Sequence, residues 1–204
     1  MKMVCNRYGL LVVLVLMSLV TVSCGSSGSD GGSSSSSSSS GSGTGWHNQG
    51  RDCLYCHNTD LTADKHLLIG GTVFKTVTVS DVDNTANACN TTVYVQFVDS
   101  AFKVVYDSSN YTDTTSSGNN GTGNVFILSR QLLTLTGQYY MRLVTSDNVT
   151  IAHSRNLHSF TSAYSSSNPS DLLNRYSCNA CHTAAPQGGA DGYLYPNIDS
   201  SKCN

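Results

Sequence analysis

Two five-residue runs carry most of the chemistry legible in this 204-residue chain, Cys53-Leu54-Tyr55-Cys56-His57 and Cys178-Asn179-Ala180-Cys181-His182. Both read C-x-x-C-H, the attachment sequence of c-type haem. Two thiols at this spacing reach the two vinyl groups of one porphyrin as thioethers, and the following His is placed to ligate the iron. Three other chemistries use a C-x-x-C pair: a structural zinc knuckle, a thioredoxin-like redox pair and a disulfide staple. None of them needs His directly after the second Cys. Both copies have it, in a chain with only 6 His. The expectation is two covalent haems, held by Cys53, Cys56, Cys178 and Cys181, with His57 and His182 as proximal iron ligands.

Each iron then needs a sixth ligand. His47, His66, His153 and His158 are the remaining histidines, against one methionine beyond the N-terminal region, Met141, which sits in an alternating strand-like stretch. Four spare His against one Met favour bis-His ligation and low potentials. His47 and His66 flank the first motif and reach its haem only if the local chain wraps it. His153 and His158 follow the last expected strand and reach the second. Two of the four are in excess, as surface residues or as ligands to a haem of a neighbouring subunit. With both sixth positions filled, no site is left open for a substrate, so the expected chemistry is electron transfer.

The N-terminus indicates where this chemistry takes place. Lys2 and Arg7 precede an apolar run from Leu10 to Val22, too short to span a bilayer comfortably and read as a secretory signal segment, residues 1–23. The run ends in Val20-Thr21-Val22-Ser23-Cys24-Gly25, which resembles a bacterial lipobox, although Thr21 stands where Leu is usual. That resemblance implies a lipid-bearing Cys24 at the mature N-terminus; ordinary cleavage without lipid, or an uncleaved anchor, are the alternatives. Gly25 to Gly45 is almost entirely Ser and Gly, including Ser33 to Ser40. Such a segment has nothing to bury and reads as a tether with a root-mean-square span of roughly 25 Å.

The elements that must hold the two motifs are strands. Gly71–Val79, Thr92–Val98, Phe102–Tyr106, Asn124–Leu128, Gln138–Val144 and Val149–Ala152 are short β-branched or aromatic runs between turn-rich separators. One helix start is expected near Asn168–Tyr176, capped by Ser170. The fold class expected is mainly β, an immunoglobulin-like or related Greek-key sandwich over residues 70–153, with haem-binding segments at 46–69 and 154–204. Gly71-Thr72-Val73, Gly121-Thr122-Gly123-Asn124-Val125-Phe126 and Leu135-Thr136-Gly137-Gln138-Tyr139 resemble the opening, middle and closing strands of the carboxypeptidase-regulatory-like, transthyretin-like sandwiches. Together with the C-x-x-C-H pairs, the chain resembles the exported multihaem c-type cytochromes of metal-respiring bacteria. That resemblance implies electron transfer at the outer membrane or cell exterior.

Cysteine bookkeeping fits this reading. Of 8 Cys, Cys5 leaves with the signal segment, Cys24 takes lipid and four hold haem, so Cys89 and Cys203 remain as a disulfide pair. All 13 acidic residues are Asp, without motif spacing, and 9 basic residues remain after residue 23, a net charge of −4. This excludes a generally basic nucleic-acid binder and gives little support to paired-carboxylate catalysis. The function expected is a tethered dihaem electron carrier. Its partners would be other cytochromes or extracellular acceptors, and self-association into a filament is expected if the two motifs lie at opposite poles. The alternatives are a dihaem peroxidase, which needs an open sixth site, and a surface binding or adhesion module.

Overall fold

The structure, a computed structural model, describes residues 47–110, 121–130, 136–160 and 176–204. Among these residues the chain is mainly β, with seven strands and two short α-helices. In chain order these are α1 (Cys53–Thr59), β1 (Leu67–Thr72), β2 (Val93–Val98), β3 (Val104–Asp107), β4 (Asn124–Leu128), β5 (Gly137–Thr145), β6 (Thr150–His153), β7 (His158–Phe160) and α2 (Cys178–Cys181). They form two antiparallel sheets. One pairs β1 with β4, and the other runs β3-β2-β5-β6, with β7 also on β5. No helix among the described residues is long and apolar enough to cross a membrane.

Side-chain alternation sets which face of each strand is buried. On β2, Val93, Val95 and Phe97 enter the core, and on β5 Tyr139, Met141 and Leu143 face the same way. Ile69, Val125 and Ile127 of the two-stranded sheet belong to the same apolar cluster. Phe97, fully buried, meets Tyr106, Tyr139 and Phe160 edge-on at ring-centroid separations of 5.6–5.9 Å. Tyr176, also buried, extends this aromatic stack from Phe160 toward the second motif.

The first strand departs from its expected position. It was placed at Gly71–Val79, but the ladder runs Leu67–Thr72, and beyond it Val73 and Phe74 make only isolated bridges to Leu194 and Ala88. Gly70 and Gly71 lie inside this ladder, where the backbone passes through them extended and paired to Phe126 and Val125. β7, three residues long, was not anticipated. Of the helix expected near Asn168–Tyr176, residues 168–175 lie outside those described.

The C-terminal segment is sewn into the sheet. Cys89 and Cys203, both fully buried, form a disulfide with Cα atoms 4.5 Å apart. Asn197 brackets the His153 backbone with hydrogen bonds to its N–H and carbonyl, and the Ile198 N–H donates to Ile151.

Candidate haem sites

α1 begins because Asp52 caps it, its carboxylate accepting from the Tyr55 N–H, and Leu54 anchors it in the core. α2 is a single turn. Its N-cap Ser177 makes no side-chain bond to its own helix and instead donates to the Asp52 carboxylate at 2.5 Å. The two motif helices are thus joined cap to cap.

Both motifs rest on β1, at consecutive residues. A Cβ built on Gly70 would lie 2.9 Å from the Cys53 Cβ, and one on Gly71 would lie 2.6 Å from the Cys178 Cβ. Successive Cβ positions in a strand point to opposite faces, so the two attachment sites flank the strand with only side-chain-free backbone between them. Asn179, 3% exposed, completes the join: its amide donates to the Arg51 carbonyl at 2.7 Å and its oxygen accepts from the Thr72 N–H at 3.1 Å. Side-by-side placement is a feature that sequence spacing could not supply.

The two proximal histidines are held alike. His57 Nδ1 lies 2.9 Å from the Lys65 carbonyl and His182 Nδ1 lies 3.0 Å from the Gly192 carbonyl. A carbonyl only accepts, so Nδ1 carries the proton in each and Nε2 presents the lone pair that a metal needs.

The spare histidines separate into distinct roles. His47 comes to the first motif, with its ring centroid 6.1 Å from that of His57. An imidazole nitrogen sits about 2 Å from a transition-metal ion, so two imidazoles on opposite sides of one ion have centroids roughly 6 Å apart. The turn before β4 keeps His47 in place: Asn124 donates to its carbonyl, and Gln49, buried, bridges its N–H to the Thr122 carbonyl. Burial, and then the neighbouring His57, push the His47 pKa down, which keeps the ring neutral and able to ligate. His66 instead turns its Nε2 to the Leu61 carbonyl at 3.1 Å.

The second motif borders a cleft of about 240 Å³ whose walls include Cys178, Cys181, His182, Met141, Leu143 and His158. His158 pairs with Tyr139 across the ladder and therefore shares its core-facing side, toward this cleft. His153 pairs with Arg142 and its ring stacks with Tyr140 and Phe102, on the opposite face of the sheet, although it too lines the cleft. Met141, read from sequence as a plain strand residue, also faces the cleft. Its spacing of two from both Tyr139 and Leu143 is the signal that could have revealed it.

Thiol chemistry at the sites is constrained by burial. Cys53 and Cys178 are both pushed up to about 12, first by desolvation and then by neighbouring groups, Cys178 for the former and Cys181 for the latter. Among the described residues no group of three or more His, Cys, Asp or Glu is gathered to hold a bare metal ion. Cys53, Cys178 and Cys181 take part in no disulfide, whereas Cys56 is disulfide-bonded. A thioether and a disulfide compete for the Cys56 sulfur, so haem attachment there requires that bond to be absent. No protein-family model, curated protein or solved structure matches this chain.

Proposed function

We propose that the chain is an exported dihaem c-type cytochrome that carries electrons, with two attachment sites set side by side on a β scaffold. The observation that carries this reading is the likeness of the two motifs: each places its first cysteine against β1 and each fixes its histidine by an Nδ1 bond to a backbone carbonyl. A redox pair has no use for that histidine geometry, and a zinc knuckle does not require the histidine directly after its second cysteine, where both motifs have it. The scaffold is read as an immunoglobulin-like or transthyretin-like sandwich, supported by the one apolar cluster that residues of both sheets share.

A haem bound at each site supplies a one-electron Fe(III)/Fe(II) couple. The protein's part is to hold His57 and His182 by Nδ1, with Nε2 as the nitrogen available to iron, and to bring His47 to the first site and His158 to the second. Leu143, Met141 and Val95 line the cleft beside the second site with apolar surface. Met141 gives a second reading for that site, as a Met ligand, and predicts a higher potential there than bis-His ligation does. Adjacent sites support a self-contained two-centre relay over a chain with haems at opposite poles. Export by the N-terminal segment, a lipid on Cys24 and exchange with outer-surface redox partners complete the proposal.

The test is to express the full chain in a host with c-type cytochrome maturation and measure covalent haem by pyridine haemochrome and intact mass. Two haems per chain, with Cys53, Cys56, Cys178 and Cys181 all as thioethers, are expected. A chain without covalent haem, or with Cys56 still in a disulfide, overturns the proposal.

A further inference from the structure

The two attachment sites are joined by more than proximity. Asn179 occupies the first variable position inside the second C-x-x-C-H, a place the motif leaves open to any residue. Here it is 3% exposed and fully engaged. Its amide nitrogen donates to the Arg51 carbonyl, two residues before the first motif, and lies 3.9 Å from the Cys53 sulfur. Its oxygen accepts from the Thr72 N–H, and Thr72 Oγ1 is 3.4 Å from its nitrogen. One side chain in the second motif therefore touches the first motif and the strand between them.

β1 supplies the other half of the device. At the crossing point it carries Gly70 and Gly71, both buried. Any larger residue there would press on Cys53 at 2.9 Å or on Cys178 at 2.6 Å, distances that no Cβ tolerates. Neither glycine has a positive φ, so turn geometry does not explain them. Close approach of the two cysteines does.

We infer that Asn179, acting with the Gly70–Gly71 step, is a positioning device that fixes the separation of the two attachment sites, so that the two haems work as one electronically coupled pair. This rests on the dihaem reading above. The spacing is set by contacts on both sides of β1, so disturbing either side changes what both haems report.

The experiment compares the full-length holoprotein with Asn179→Ala, Gly70→Ala and Gly71→Ala. Covalent haem content and the two-signed Soret circular dichroism couplet that neighbouring haems produce are the readouts. The native chain is expected to show two haems and a couplet. Each variant is expected to have a couplet roughly halved, as a displacement on the order of 1 Å at a positioned group produces large effects. Gly70→Ala presses on the first site and Gly71→Ala on the second, so both acting on the shared couplet supports the inference. A couplet unchanged in all three variants overturns it. So does a defect confined to the haem beside the substituted residue, including loss of that haem alone. A native chain with no covalent haem overturns the dihaem reading instead, which separates the two failures.

Discussion

Removing the Cys89–Cys203 disulfide gives the sharpest stability prediction. The bond closes a loop with a sequence separation of 114 residues. In the chain-entropy model a loop of this length restricts the unfolded chain by about 4.8 kcal/mol at 25 °C. Both sulfurs are fully buried, so replacing them with Ala also loses about 1 kcal/mol of burial each. A domain of this size is stable by only about 5–15 kcal/mol in total. The double variant Cys89→Ala/Cys203→Ala is therefore expected to lie near the edge of folding. In urea, with a slope of about 2 kcal/mol per molar, its midpoint falls by about 3 M. Either single variant breaks the same bond, so each alone produces most of the loss. The assay is equilibrium urea unfolding followed by far-UV circular dichroism, with a thiol count on the denatured, unreduced native chain. A loss below about 1.5 kcal/mol, or two single variants that simply add to give the double, refutes the reasoning, because loop closure is an all-or-none constraint on the unfolded state.

Three further outcomes follow from the structure. Gly71→Ala, whose new Cβ meets Cys178 at 2.6 Å, destabilises the chain by about 1–3 kcal/mol of overpacking in thermal or urea unfolding, whether or not haem is attached. His158→Ala turns the second haem high-spin in its ferrous form and able to bind CO, while His153→Ala, on the opposite face, leaves the spectra low-spin; the reverse pattern would exchange their roles, and a change on Met141→Leu alone would assign that site to methionine. Asp107 is desolvated by partial burial, which raises its pKa, but hydrogen bonds from Ser109 and Gln96 outweigh this and hold it below the usual carboxylate value. A depressed folded pKa means that its contribution is present above about pH 4 and is lost as pH falls through the folded value. The gap in stability between native and Asp107→Asn is expected to close below that pH, and a gap that persists there counts against the linkage.

Much of this molecule is local chemistry, and local chemistry is readable. The C-x-x-C-H spacing is what points to the proposed haems, because the vinyl groups and iron of a haem sit at fixed distances within one ring system. Alternation in Val93-Tyr94-Val95-Gln96-Phe97 fixes a strand and its buried face because the side-chain period of a strand is two. Counting cysteines leaves Cys89 and Cys203 over, and the structure joins them across 114 residues.

What the sequence could not decide is which separated residues meet. His47, His66, His153 and His158 are equivalent as a list, since any imidazole can ligate iron. Only the ladder register puts His158 on the core-facing side of the sheet and His153 on the other, and only the turn at Gly121–Asn124 brings His47 to His57. Gly70 and Gly71 stand out in no sequence pattern beyond Gly71 opening an expected strand. Their use here is the absence of a side chain, a property that matters only once Cys53 and Cys178 arrive from opposite faces of the strand. By itself the sequence determined the chemistry available at each motif, because covalent spacing is set along the chain. Tertiary structure decided that the two motifs share one strand, because that depends on packing between segments far apart in sequence.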